Sequence, residues 1–157
     1  MNTNPTYEHA AQEGPPQLPG DVALHTSEIT VIFTTTEATL AALRVAASLA
    51  RACHAPVRLI AQQPRSFATS VEDLPRSPVE HPAFRMRVSR EIDSQVDVLV
   101  CVCRRIGDLA RALLSRHSLV VIGGRPSWWP TRWERLRRTL EAQGHVVLFV
   151  NEVDHAA

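Results

Sequence analysis

The sequence predicts an α/β domain of the doubly wound, Rossmann-like kind, and three observations predict it. Short apolar runs rich in β-branched residues alternate with longer segments of helical period. Several of those runs are apolar at every position, as strands are when helices cover both faces of a parallel sheet. The helical segments carry start and stop residues of the right types, and right-handed crossovers between parallel strands then wind the chain into a sandwich. Five strands and four helices are expected.

Taken in order, residues 1–27 are polar and rich in Pro and Gly without a sustained apolar period, and read as a disordered N-terminal arm. The domain proper spans 28–153, with 154–157 as a tail. "EITVIF" (28–33) is the first strand. "TEATLAALRVAASLARACHA" (36–55) is a helix opened by Thr36 as N-cap and halted before Pro56, and Leu40, Leu43, Ala47 and Ala50 share one apolar face. "PVRLIA" (56–61) is the second strand. Four prolines in the twenty-one residues of "QQPRSFATSVEDLPRSPVEHP" make that stretch largely loop. A helix over 83–95 and the strand "VDVLVCVC" (96–103) follow. Asp108 caps a helix over 108–118, and "LVVIGG" (119–124) is the fourth strand. Thr131 and Glu134 have capping-box spacing at the start of a helix over 131–143, Gly144 stands where a C-cap glycine belongs, and "HVVLFV" (145–150) closes the sheet.

At 157 residues the chain suits one domain with a real core, and 45% hydrophobic with 21% charged residues is ordinary for a globular protein. The net charge of +1 conceals an asymmetry: residues 104–138 hold nine arginines against Asp108 and Glu134, a net of +7, while the remainder is net −6. All seventeen basic residues are arginine, which excludes a Walker lysine, a Schiff-base lysine and a lysine general base. Three cysteines without framework spacing read as reduced thiols. No stretch has the length of a membrane span and the N-terminus lacks the order of a signal peptide, so a cytoplasmic protein without a membrane partner is expected.

Catalytic and metal signatures are sparse. There is no Gly-x-Ser-x-Gly elbow. A receiver domain would need an acidic cluster, an Asp ending the third strand and a lysine, where this chain has Thr34, Cys103 and none. Glu72 and Asp73 lie in the proline-rich loop. Cys101 and Cys103 alternate on a strand and so share one face, as small buried hydrophobes do. His54, His117 and His145 fall where helices end, as cationic caps would. No catalytic residue and no metal site is expected.

"ITVIFTTTEATLAALRVAASLA", "IGDLARALLSRHSLVVIGG" and "GHVVLFVNEV" carry a resemblance to the universal stress protein family, over about four-fifths of the chain. The resemblance implies the strand order 3-2-1-4-5. It also implies dimerisation through the last strand, whose apolar edge would invite pairing with a second copy. Nucleotide-binding members have an Asp after the first strand and a Gly-x-x-Gly loop after the fourth. Here Thr34 takes the first place and Pro126 that of the second glycine, so this chain resembles the branch lacking the ATP loop. Prolines supply no N–H and fix φ, so strong ATP binding is not expected and no cofactor is assigned.

Ligands of doubly wound sheets bind beyond the carboxyl ends of the strands at the switch point. Under the implied order that point is flanked by Thr34, Thr35 and Thr36 after the first strand and Gly123, Gly124 and Arg125 after the fourth, with Arg104 and Arg105 farther along the same edge. These residues form a candidate anion or nucleotide crevice. Trp128, Trp129 and Trp133 crowd six residues and form a candidate interaction patch for an unidentified protein partner. Nucleic acid is disfavoured because no RNA-binding signature accompanies them. The expected function is a non-enzymatic stress or signalling module. A weak nucleotide or anion binder (or hydrolase) and an adaptor acting through the tryptophans are the alternatives.

Overall fold

The computed structural model describes residues 28–64, 75–105, 107–108, 118–125 and 131–152. In chain order these form β1 (Ile29–Ile32), α1 (Thr36–Cys53), β2 (Val57–Pro64), a 3-10 turn (Pro78–Glu80), α2 (Pro82–Glu91), β3 (Val96–Cys103), β4 (Leu119–Gly124), α3 (Arg132–Ala142) and β5 (Val146–Asn151). The strands make one parallel sheet in the order β3-β2-β1-β4-β5. Fold class and strand order are those expected. The described residues hold three α-helices; the helix expected over 108–118 falls almost wholly outside them. The N-terminal arm, the middle of the proline-rich loop, residues 126–130 and the C-terminal tail lie outside them too.

The sheet separates two apolar layers because alternate residues of a strand face opposite ways. Ile29 and Val31 of β1, Val57, Leu59 and Ala61 of β2, and Leu119 and Val121 of β4 pack under α1 and α2. On the other face Ile32, Val120 and Ile122 meet Leu136 and Leu140 of α3. The central strands β1 and β4 are buried at every position, which is why their sequences show no alternation. Leu40, Leu43, Ala47 and Ala50 of α1 are buried as expected, joined by Ala42 and Ala46.

Boundaries differ in ways that local chemistry explains. The N-cap of α1 is Thr35, not Thr36: Thr35 is extended and its hydroxyl accepts from the Ala38 N–H at 3.3 Å, so Thr36 is already the first helical residue. The helix stops at Cys53, where His54 turns left-handed (φ 52°). Helix α2 ends at Glu91 rather than Gln95, because Ile92 becomes extended and buries its side chain. Strand β2 runs on to Pro64, since β3 pairs with it residue for residue from Val57↔Val96 to Pro64↔Cys103. Gly144 has the positive φ (89°) expected of a helix-terminating glycine.

Candidate functional site

Beyond the carboxyl ends of β1 and β4 lies a crevice of about 510 Å³. Thr34, Thr35 and Thr36 enter it from β1, and Gly123, Gly124 and Arg125 from β4. The strand order makes β1 and β4 neighbours while their following helices leave for opposite faces, and that divergence opens the space. Arg104 is not among its lining residues; it follows β3, at the outer edge of the sheet, as does Arg105. Trp128 and Trp129 lie outside the described residues, whereas Trp133 lines the crevice from α3.

Residues not anticipated from the sequence also line it: Glu37 and Ala38 from α1, Thr131 ahead of α3, and Phe149 and Glu152 at the end of β5. Two helices therefore begin here. Thr35 caps α1, and the Thr131 hydroxyl accepts from the Glu134 N–H at 3.2 Å to cap α3. Each cap satisfies the third N–H of its helix. Helical geometry supplies no internal partner for the first two, on Thr36 and Glu37 and on Arg132 and Trp133. Two positive dipole ends thus face one cavity.

The expected polar residues have structural duties. The Thr34 hydroxyl donates to the Gly123 carbonyl at 2.8 Å, and the Thr34 N–H donates to the Thr39 hydroxyl at 3.1 Å. With its hydroxyl proton engaged, Thr34 joins β1 to β4 instead of offering a donor to a ligand. At Gly123 a Cβ would stand 1.9 Å from the Ala38 carbonyl oxygen, so glycine is required for the first turn of α1 to lie on the end of β4. At Gly124 a Cβ would meet the tip of the Phe149 ring at 2.5 Å. Phe149 and Trp133 are the aromatic residues among the described lining, and the Arg132 guanidinium sits 4.2 Å from the centre of a Trp133 ring.

The charges of the crevice are paired. Arg125 lays Nε against Glu152 Oε2 at 2.9 Å and Nη2 against Oε1 at 3.3 Å. Arg87 of α2 binds both carboxylate oxygens of Glu37 and also reaches Glu91, which is further bonded by Arg44. The hydrogen bond from Arg87 holds the Glu37 carboxyl below its ordinary value. At Glu91 burial pushes upward, but the hydrogen bonds from Arg87 and Arg44 outweigh it and the net direction is down. Each of the two carboxylates among the described lining residues thus faces an arginine, Glu37 that of Arg87 and Glu152 that of Arg125.

Away from the crevice, Cys101 and Cys103 are half-buried rather than buried, and burial together with the neighbouring Cys101 pushes the Cys103 thiol up to about 11. His54 sits at the carboxyl end of α1, as expected of a cap. His145 is buried, and its Nδ1 accepts from the Ser118 N–H at 3.3 Å, so it ties β4 to β5. His117 lies outside the described residues. No described helix is long and apolar enough to cross a membrane.

No protein-family model matches the chain, and no curated protein matches it. Solved structures do. A universal stress protein from Archaeoglobus fulgidus superposes with a TM-score of 0.54 at 18% identity, covering 78% of this chain and 92% of its own. The universal stress protein of that organism in complex with dAMP gives 0.51 at 16% identity, over 81% of this chain and 98% of its own. A universal stress protein in complex with cAMP gives 0.55 at 14% identity, with the same coverage of 81% and 98%. The parallel five-stranded sheet in the order β3-β2-β1-β4-β5 is thus built on the fold of the universal stress proteins, and this chain has that fold.

Proposed function

We propose that the protein is a non-enzymatic stress or signalling module, homodimeric through β5, whose crevice takes a ligand with a single phosphoryl group and a flat apolar body in preference to a triphosphate. The observation that carries this reading is the convergence of two helix N-termini on a cavity whose lining arginine is already neutralised by Glu152. Four backbone N–H groups at two dipole ends suit one phosphoryl group. Chains of phosphates need a longer run of inward-facing amides, or cations placed along them. Among the described lining residues the one arginine is already engaged by Glu152, and the other charged groups are the carboxylates of Glu37 and Glu152. Phe149 and Trp133 supply the apolar wall against which a base would rest. The complexes of similarly folded proteins with dAMP and cAMP, each carrying one phosphoryl group, support the same reading.

The side chains described support a binding role without turnover. Thr34, Thr35, Thr36 and Thr131 bring hydroxyls, but the described lining residues include no histidine or cysteine to activate them. Glu37, held anionic by Arg87, is a weakened proton acceptor. Calorimetric titration of the purified chain with AMP, dAMP and ATP tests the reading. The monophosphates are expected to bind roughly tenfold or more tightly than ATP, which stays intact. Tighter binding of ATP, or no binding of any of the three at millimolar concentration, would sink it.

A further inference from the structure

We propose that Glu152 is a built-in occupant of the crevice's guanidinium clamp, and that a phosphoryl group entering the crevice competes with it for Arg125. The inference rests on the crevice being an anion site and names what that site selects.

The geometry is that of an arginine gripping an oxyanion. Nε and Nη2 of Arg125 address the two oxygens of Glu152 side by side, which is the fork by which guanidinium groups hold phosphates. The partners are held unequally. The Glu152 N–H donates to the Gly124 carbonyl at 2.8 Å, directly after β5 pairs with β4 at Gly124↔Asn151, so its backbone continues the sheet. Its side chain is 12% exposed, whereas that of Arg125 is 73% exposed. The carboxylate is therefore part of the wall, and the long, solvated guanidinium is the member that moves.

This arrangement selects by charge. An incoming group must outcompete a carboxylate for the same fork, so a carboxylate ligand gains nothing and a singly charged phosphodiester gains little. A phosphate monoester, with up to two charges and three terminal oxygens, gains most. The sheet end thus favours monoesters, and Glu152 sets how weakly they bind.

A double-mutant cycle tests the proposal: the parent chain, Glu152→Gln, Arg125→Ala and the double variant, each titrated with AMP and with cAMP. Glu152→Gln keeps the shape but removes the competing charge, and is expected to tighten AMP roughly tenfold, with a smaller gain for cAMP. Arg125→Ala alone is expected to change AMP affinity by less than about threefold, because the guanidinium is already engaged. In the double variant the gain disappears. Should Glu152→Gln perturb folding, Glu152→Ala serves in its place, with circular dichroism as the check. Binding of AMP by the parent with no gain in Glu152→Gln overturns the latch and leaves the proposed function standing. A gain that survives in the double variant also overturns it, since simple repulsion would then suffice. AMP binding by Glu152→Gln with none by the parent supports the latch while removing the parent's proposed ligand, and no binding by any of the four chains overturns the latch as well.

Discussion

A methyl group on Gly123 would overlap the Ala38 carbonyl, which belongs to the backbone of α1 and cannot swing aside, whereas at Gly124 it would meet the tip of a phenylalanine ring, which can. Gly123→Ala is therefore expected to cost about 2–3 kcal/mol of stability and Gly124→Ala about 1 kcal/mol, read from urea denaturation of the two variants. Equal losses would show that α1 yields at its first turn. The glycine pair was legible in the sequence as the end of a strand at a switch point, but as a pair facing a ligand. Its packing role was not legible, because it depends on how closely one helix approaches, and no local pattern records that distance. Thr34 teaches the same lesson. Its place at the crevice follows from its position after β1, while its engagement with Gly123, 89 residues along the chain, is a tertiary fact.

Helices α1 and α2 are joined by a chain of charges, Glu37–Arg87–Glu91–Arg44, that also fixes Glu37 at the lip of the crevice. Both carboxyls have folded-state values lowered from the ordinary one, so the sign is definite. Their contribution is present above the unfolded-state value of about 4.3 and is lost as pH falls through the lowered folded-state values. The pairs are partly exposed to solvent, so each is worth under about 1 kcal/mol. Glu91→Gln is accordingly expected to lower stability by about 1 kcal/mol at neutral pH and to flatten the acid limb of a thermal-melting profile. Acid limbs that run parallel in parent and variant would show that the network contributes nothing. Helix existence was legible in the spacing of apolar residues, as Leu40, Leu43, Ala47 and Ala50 show. The early end of α2 was not, because burial of Ile92 against the core outweighs the propensity of the residues that follow.

Across the whole molecule, a parallel sheet leaves two edges, and the described residues place exposed apolar side chains on both. Val146 of β5 is 39% exposed, and on β3 Val98, Leu99 and Val102 are 45%, 37% and 41% exposed. An open apolar edge is a template for strand addition. Pairing through β5 predicts a dimer by light scattering at tens of micromolar, with hydrogen exchange slowed in β5 rather than β3 as concentration rises; a monomer, or protection of β3 instead, would count against the β5 dimer. By itself the sequence determined the fold class and the sites of the described strands and helices, because periodicity and the geometry of parallel crossovers are local rules applied repeatedly. The gathering of Thr34–Thr36 with Gly123–Arg125 was an expectation only through the strand order that the family resemblance implied. Only the tertiary structure decided how that crevice is lined. Glu37, Thr131, Phe149 and Glu152 reach it through strand register and helix placement, and the pairing of Arg125 with Glu152 arises because β4 and β5 end level, at Gly124↔Asn151. Which charges cancel depends on distances of a few ångströms in space, and neighbours in space need not be neighbours in the chain.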